Sequence, residues 1–116
     1  MMRSILLAAL MLATPAMAEC PGTWLPPIQY DFQPRPTPIY RLVDDVPRAC
    51  TELGGMGTGN LAACNGWKDR KWYIVLDKAR TVDQLRCDVR HEFGHQNERD
   101  ATGDPNDWHT GWRLGT

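Results

Sequence analysis

The clearest periodicity in the chain lies between Thr81 and Arg99. Val82, Leu85, Val89 and Phe93 recur at helical spacing and, at roughly 100° per residue, fall within about 80° of one another. Thr81 can cap the first turn, Gln84 completes a capping box, and Asp83 suits the positive end of the helix dipole. The pattern predicts a helix over 81–99 that is over by Gly103, where "TGDPND" forms turns. On this helix His91 and His95 fall about 40° apart, away from the apolar stripe, with Cys87 and Asp88 on the same side and Glu92 between the two faces. "KWYIVLD", Lys71–Asp77, is rich in aromatic and β-branched residues with charges at its ends, and predicts a strand near the edge of a small sheet. "IYRLV", Ile39–Val43, predicts a second short strand. One main helix with a short antiparallel sheet makes the fold class α+β.

Proline shapes the first third of the mature chain. Pro21, Pro26, Pro27, Pro34, Pro36, Pro38 and Pro47 exclude a long helix or an inner strand, so residues 19–47 read as an extended arm over the surface. "PRPTP" also resembles a ligand for aromatic grooves, and the structural arm is the preferred reading of the two. The glycine-rich "ELGGMGTGNLAACNGW" lacks the Gly-Lys-Ser/Thr ending of a phosphate-binding loop. It predicts a hairpin loop followed by an Asn65-Gly66 turn.

The amino terminus changes the setting. "MMRSILLAALMLATPAMA" has a basic start at Arg3, an apolar run too short to span a bilayer, and small residues at Ala16 and Ala18. Residues 1–18 are therefore expected to be a secretory signal, and the mature protein to be exported to the periplasm or beyond the cell with no stable membrane anchor. Glu19 stands where a lipoprotein signal needs a small residue, which argues against lipidation of Cys20. The remaining residues 19–116 suit one small domain. The full chain has a formal net charge of −1, which becomes −2 once Arg3 is removed, and there is no basic run to bind nucleic acid. All four cysteines, Cys20, Cys50, Cys64 and Cys87, lie in the mature part, and an even count in a small exported chain reads as two disulfides. Cys87 sits one turn before His91 on the same helix face. Loop lengths and that face favour Cys20–Cys87 as a wall of the site and Cys50–Cys64 closing the glycine-rich hairpin. The five tryptophans, Trp24, Trp67, Trp72, Trp108 and Trp112, supply much of the area for a modest core.

All three histidines lie in residues 86–112, "RCDVRHEFGHQNERDATGDPNDWHTGW". Histidines at i and i+4 of a helix project side by side and can grip one metal ion. A glutamate directly after the first is offset around the helix, too far to join the pair yet able to reach a water at the metal and take its proton. A chance match to His-Glu-x-x-His in a chain this short is roughly a one-in-several-hundred event on average composition.

"HEFGH" resembles the active-site helix of the zincin metallopeptidases, including the glycine before the second histidine. The resemblance implies a zinc ion held by His91 and His95, Glu92 as general base, a minimal zincin-like domain over 19–116, and an edge strand that holds substrate extended, a role open to "KWYIVL". With Asn97 and "DWH", the chain further resembles small exported bacterial zincin-like proteins. The expected reaction is hydrolysis of an amide bond in a peptide or protein substrate, cell-wall peptides included. The alternative is a non-catalytic exported zinc-binding or accessory protein.

The third ligand is the open point. Metzincin spacing would need a glycine at 98 and a histidine at 101, and the chain has Glu98 and Ala101. Glu98 is seven residues from His91, roughly 10 Å along the axis, too far to share an ion with it on a straight helix. Gly103 and Pro105 can reverse the chain and return His109, which is the favoured ligand. Asp107 stands second, with Asp104 and Asp100 as further loop carboxylates. Tyr73, Arg90 and Arg113 are candidates to stabilise an oxyanion.

Overall fold

The computed structural model describes residues 20–54 and 61–116. The expected signal at 1–18 and the glycine-rich residues 55–60, expected to form a hairpin loop, lie outside the described residues. Among the described residues the fold is α+β, with two helices, two short sheets and two disulfides, Cys20–Cys87 and Cys50–Cys64.

The larger sheet has strands β2 (Ile39–Val43), β3 (Ala63–Lys68) and β4 (Lys71–Asp77) in the order β2-β4-β3. β4 is therefore the central strand, not an edge, and the sheet is mixed, because β2 runs parallel to β4 while β3 is antiparallel to it. The physical reason is burial on both faces. Tyr73, Ile74, Val75 and Leu76 are all buried, a continuous apolar run that suits an inner strand. The charges at Lys71 and Asp77 mark its two tips.

On one face Ile74 and Leu76 pack with Leu85, Val89 and Phe93 of the long helix, α2 (Val82–Thr102). On the other, Val75 packs with Val46 and Cys50 of the short helix α1 (Val46–Glu52). The predicted stripe on α2 holds except at its start, where Val82 is 40% exposed. The Thr81–Gln84 capping box is present, and the helix runs three residues past 99 to a left-handed Gly103 (φ 82°) whose N–H donates to the Arg99 carbonyl.

The β3–β4 turn falls at Asp69 and Arg70, both with positive φ, as a two-residue hairpin turn requires. Asn65-Gly66 is not the turn; it lies inside β3. A Cβ on Gly66 would stand 3.2 Å from Leu53 Cβ, so the glycine allows α1 to approach the strand beside the Cys50–Cys64 bridge.

The proline-rich arm is tied to α2 rather than merely laid over it. It contains β1 (Trp24–Leu25), which pairs with β5 (Arg113–Leu114) to make the second sheet and join the two ends of the described chain. Asn97 Nδ2 donates to the carbonyls of Tyr30 and Phe32 at 2.9 and 2.8 Å. The Asp31 carboxylate accepts from Arg90 at 2.9 and 2.6 Å and from Arg113 at 2.8 Å. Among the described residues no helix is long and apolar enough to cross a membrane.

Candidate metal centre

α2 presents His91 and His95 one turn apart on the side facing the arm. The third histidine arrives by a tightly wound return. After Gly103 the chain passes Asn106 (φ 57°), His109 (φ 58°) and Gly111 (φ 81°), all left-handed. Asn106 organises this loop, its side chain accepting from the Thr110 N–H at 3.0 Å and donating to the Thr110 carbonyl at 2.7 Å. A left-handed histidine costs about 1–2 kcal/mol, so the surrounding contacts must over-determine it.

Those contacts centre on Glu98, a residue whose role sequence reasoning missed. Its carboxylate accepts from Asn106 Nδ2 at 3.0 Å and from Trp112 Nε1 at 2.9 Å, clamping both ends of the loop to the helix. Trp112 is buried, with its ring 4.4 Å from that of His95, 4.9 Å from His91 and 5.0 Å from His109. The only signal available in the sequence was that Glu98 shares the histidine face of α2.

The three Nε2 atoms form a triangle with all three edges at 3.1 Å. Their protonation follows from their partners. His91 Nδ1 lies 2.6 Å from the Trp24 carbonyl oxygen and His95 Nδ1 lies 2.7 Å from that of Pro105. A carbonyl oxygen only accepts, so both Nδ1 atoms carry the proton. In the neutral rings both Nε2 atoms then present lone pairs. The rings are held neutral, since burial pushes His91 down to about 3, with His95 and His109 adding to it, and burial pushes His95 down to about 4. Burial lowers His109 as well. Converging lone pairs at this distance repel unless a cation is shared between them. A zinc ion bound to three imidazoles at about 2.0–2.1 Å in tetrahedral geometry needs nitrogens about 3.3 Å apart, close to the observed edges. The donor set fits a metal ion.

Among the described residues, His91, His95 and His109 form the group of side chains able to hold a metal together. Asp100, Asp104 and Asp107 stay outside it, exposed on the helix end and loop. Glu92 stands beside the centre, 6% exposed, with Oε2 3.9 Å from His91 Nε2. Burial raises its pKa to about 8, Asp88 and Asp107 add to the rise, and a backbone hydrogen bond from Asn65 on β3 opposes it. The oxyanion candidates do not reach this place free. Tyr73 belongs to the face of the sheet opposite Ile74, with Arg41 over its ring, and Arg90 and Arg113 are both engaged by Asp31.

These shifts set the pH dependence of the metal-free protein. The depressed His91 and His95 contribute stability above the unfolded value of 6.5 that is lost as pH falls towards their folded values of about 3 and 4. The raised Glu92 acts oppositely, its contribution being lost as pH rises from 4.5 to about 8. Two histidines outweigh one carboxyl below 6.5, so stability should rise with pH up to about 6.5 and then fall until about 8, by about 1.4 kcal/mol per pH unit for each net proton. Denaturant melts of metal-free protein from pH 4 to 9 check this, and a monotonic profile would contradict it.

No family model matches the chain, and neither the curated proteins nor the solved structures give a match.

Proposed function

We propose that the protein is an exported zinc-dependent metallopeptidase of zincin type that hydrolyses an amide bond in a peptide or protein. One observation carries this reading: a buried carboxylate, Glu92, lies beside three converging imidazole nitrogens, with Oε2 3.9 Å from His91 Nε2. A metal held only for structure has no use for such a group, whose burial is costly without a task.

His91, His95 and His109 would hold the ion, and three protein ligands are the number found in catalytic rather than structural zinc sites. When bound, zinc supplies Lewis acidity towards a carbonyl oxygen and lowers the pKa of water. Glu92 would take a proton from the attacking water at Oε2 and return it to the departing amine. Trp24 and Pro105 hold two imidazoles in the tautomer that leaves Nε2 open, the carbonyl oxygens accepting from Nδ1. An extended substrate cannot add to β4, which is paired on both sides. β3 is the outer strand nearest Glu92 through Asn65, and strand addition would use its edge.

Two disulfides support an oxidising compartment, in keeping with the leader-like residues 1–18. The test is cleavage of an unfolded protein and of cell-wall peptides by zinc-loaded protein, read by mass spectrometry. Cleavage should stop on chelation and return with zinc; activity indifferent to chelation would contradict the proposal.

A further inference from the structure

We propose that the Cys20–Cys87 disulfide, acting through Trp24, assembles the three-histidine centre, so that metal affinity depends on the oxidation state of this one bridge. The inference rests on the metal-binding reading above but not on catalysis. Cys87 lies one turn before His91 on α2, and the bridge pins Cys20 to it with Cα atoms 5.6 Å apart. Four residues further along the arm, Trp24 touches two of the three metal-binding side chains. Its carbonyl oxygen accepts from His91 Nδ1 at 2.6 Å, and its indole stacks on the His109 imidazole, with centroids 6.3 Å apart and planes within 9°.

Noncovalent ties also hold this stretch, with Gly22 donating to the Gly115 carbonyl, Gly115 to that of Thr23 and Arg113 to that of Pro26, but Cys20–Cys87 is its covalent tie to α2. β1 and β5 are two residues each, and Trp24 is 43% exposed, so its own burial supplies only part of the anchoring. The buried cluster beneath it consists of Leu25 and the two bridged cysteines themselves. Without the bridge that cluster loses its centre, and the orientation of His91 and His109 with it. Cys50–Cys64 is an internal control, since it joins α1 to β3 on the sheet face away from α2.

The chemistry is a two-electron exchange. A dithiol gives up two electrons and two protons and becomes a disulfide, while the S–S bond of Cys20–Cys87 breaks to two thiols. A chain kept reduced would thus carry a poor site, and one in an oxidising compartment a complete one. Loss of partners outside the ligands weakens metal binding by about 10–100-fold, and the same range is expected here.

The experiment measures zinc affinity, by competition with a chromophoric chelator and without thiols, for wild type, Cys20→Ala/Cys87→Ala and Cys50→Ala/Cys64→Ala. The first variant should bind at least about tenfold more weakly and the second nearly as wild type. Equal weakening in both, or none in the first, overturns the proposal. Wild type that binds no zinc would instead sink the metal-binding reading itself. In the intact disulfide-bonded protein, Trp24→Ala should weaken zinc binding and Trp24→Phe should restore most of it by keeping a ring on His109. Should Cys20→Ala/Cys87→Ala fail to fold, wild type is reduced with a phosphine, which with water forms phosphine oxide and two thiols per bridge. Bound zinc should slow reduction of Cys20–Cys87 far more than that of Cys50–Cys64; equal slowing reports only global stability and overturns the proposal.

Discussion

If the protein is the proposed zinc peptidase, replacing Glu92 with glutamine should leave zinc binding essentially intact and lower the rate of peptide hydrolysis by about 10²–10⁴-fold. The side chains are nearly the same shape, so the packing of a residue only 6% exposed is preserved. What is lost is the ability to accept a proton beside the His91–His95–His109 triangle. The substitution also has a signature independent of activity. Glu92 is the group whose raised pKa, about 8, makes the metal-free protein lose stability between about pH 6.5 and 8, so that decline should vanish in Glu92→Gln. Parallel zinc titrations, peptide assays and pH-dependent melts read all three effects. Unchanged hydrolysis would remove Glu92 from the reaction, and a binding function retained in the absence of hydrolysis would favour the non-catalytic zinc protein.

Gly94→Ala should destabilise the protein by about 1–3 kcal/mol through overpacking, although alanine in an open helix position gains about 1 kcal/mol over glycine. The sign is decided by space. A Cβ at Gly94 would collide with the Pro26 ring and stand 2.8 Å from the Trp112 indole. Neither neighbour can yield cheaply. Pro26 also offers its carbonyl oxygen to Arg113 at 3.1 and 2.7 Å, and Trp112 is fixed to Glu98 at 2.9 Å. Both belong to the layer that orients the histidines, so zinc affinity should fall together with the denaturation midpoint. A stabilised Gly94→Ala protein would show that this close approach is not a constraint. The glycine in "HEFGH" thus has a local reason, the passage of the arm across the helix.

Much of the site was legible because it is local. Cap, stripe and histidine pair all sit on one helix, where a period of 3.6 residues fixes who faces whom. The return of His109 was legible in part, from Gly103 and Pro105, because breakers announce a reversal without saying where it ends. What decides its end is Glu98 gripping Asn106 and Trp112, a long-range hydrogen-bond pattern with no sequence period. The same limit explains β4. Its charged tips suggested an edge, whereas its pairing depends on the proline-rich arm supplying β2, a contact between segments more than thirty residues apart. Trp24 was invisible as a partner of two histidines for a similar reason: the arm's path is set by a disulfide and by two-residue strands.

In the proposed centre one metal ion is held by three imidazoles, those of His91, His95 and His109. X-ray absorption at the zinc edge of protein loaded with one equivalent, for wild type and His109→Ala, counts these nitrogens directly. Wild type should show three imidazole nitrogens at about 2.0–2.1 Å and the variant two. Two imidazoles in wild type, or a count unchanged by loss of His109, would rule out the three-histidine centre.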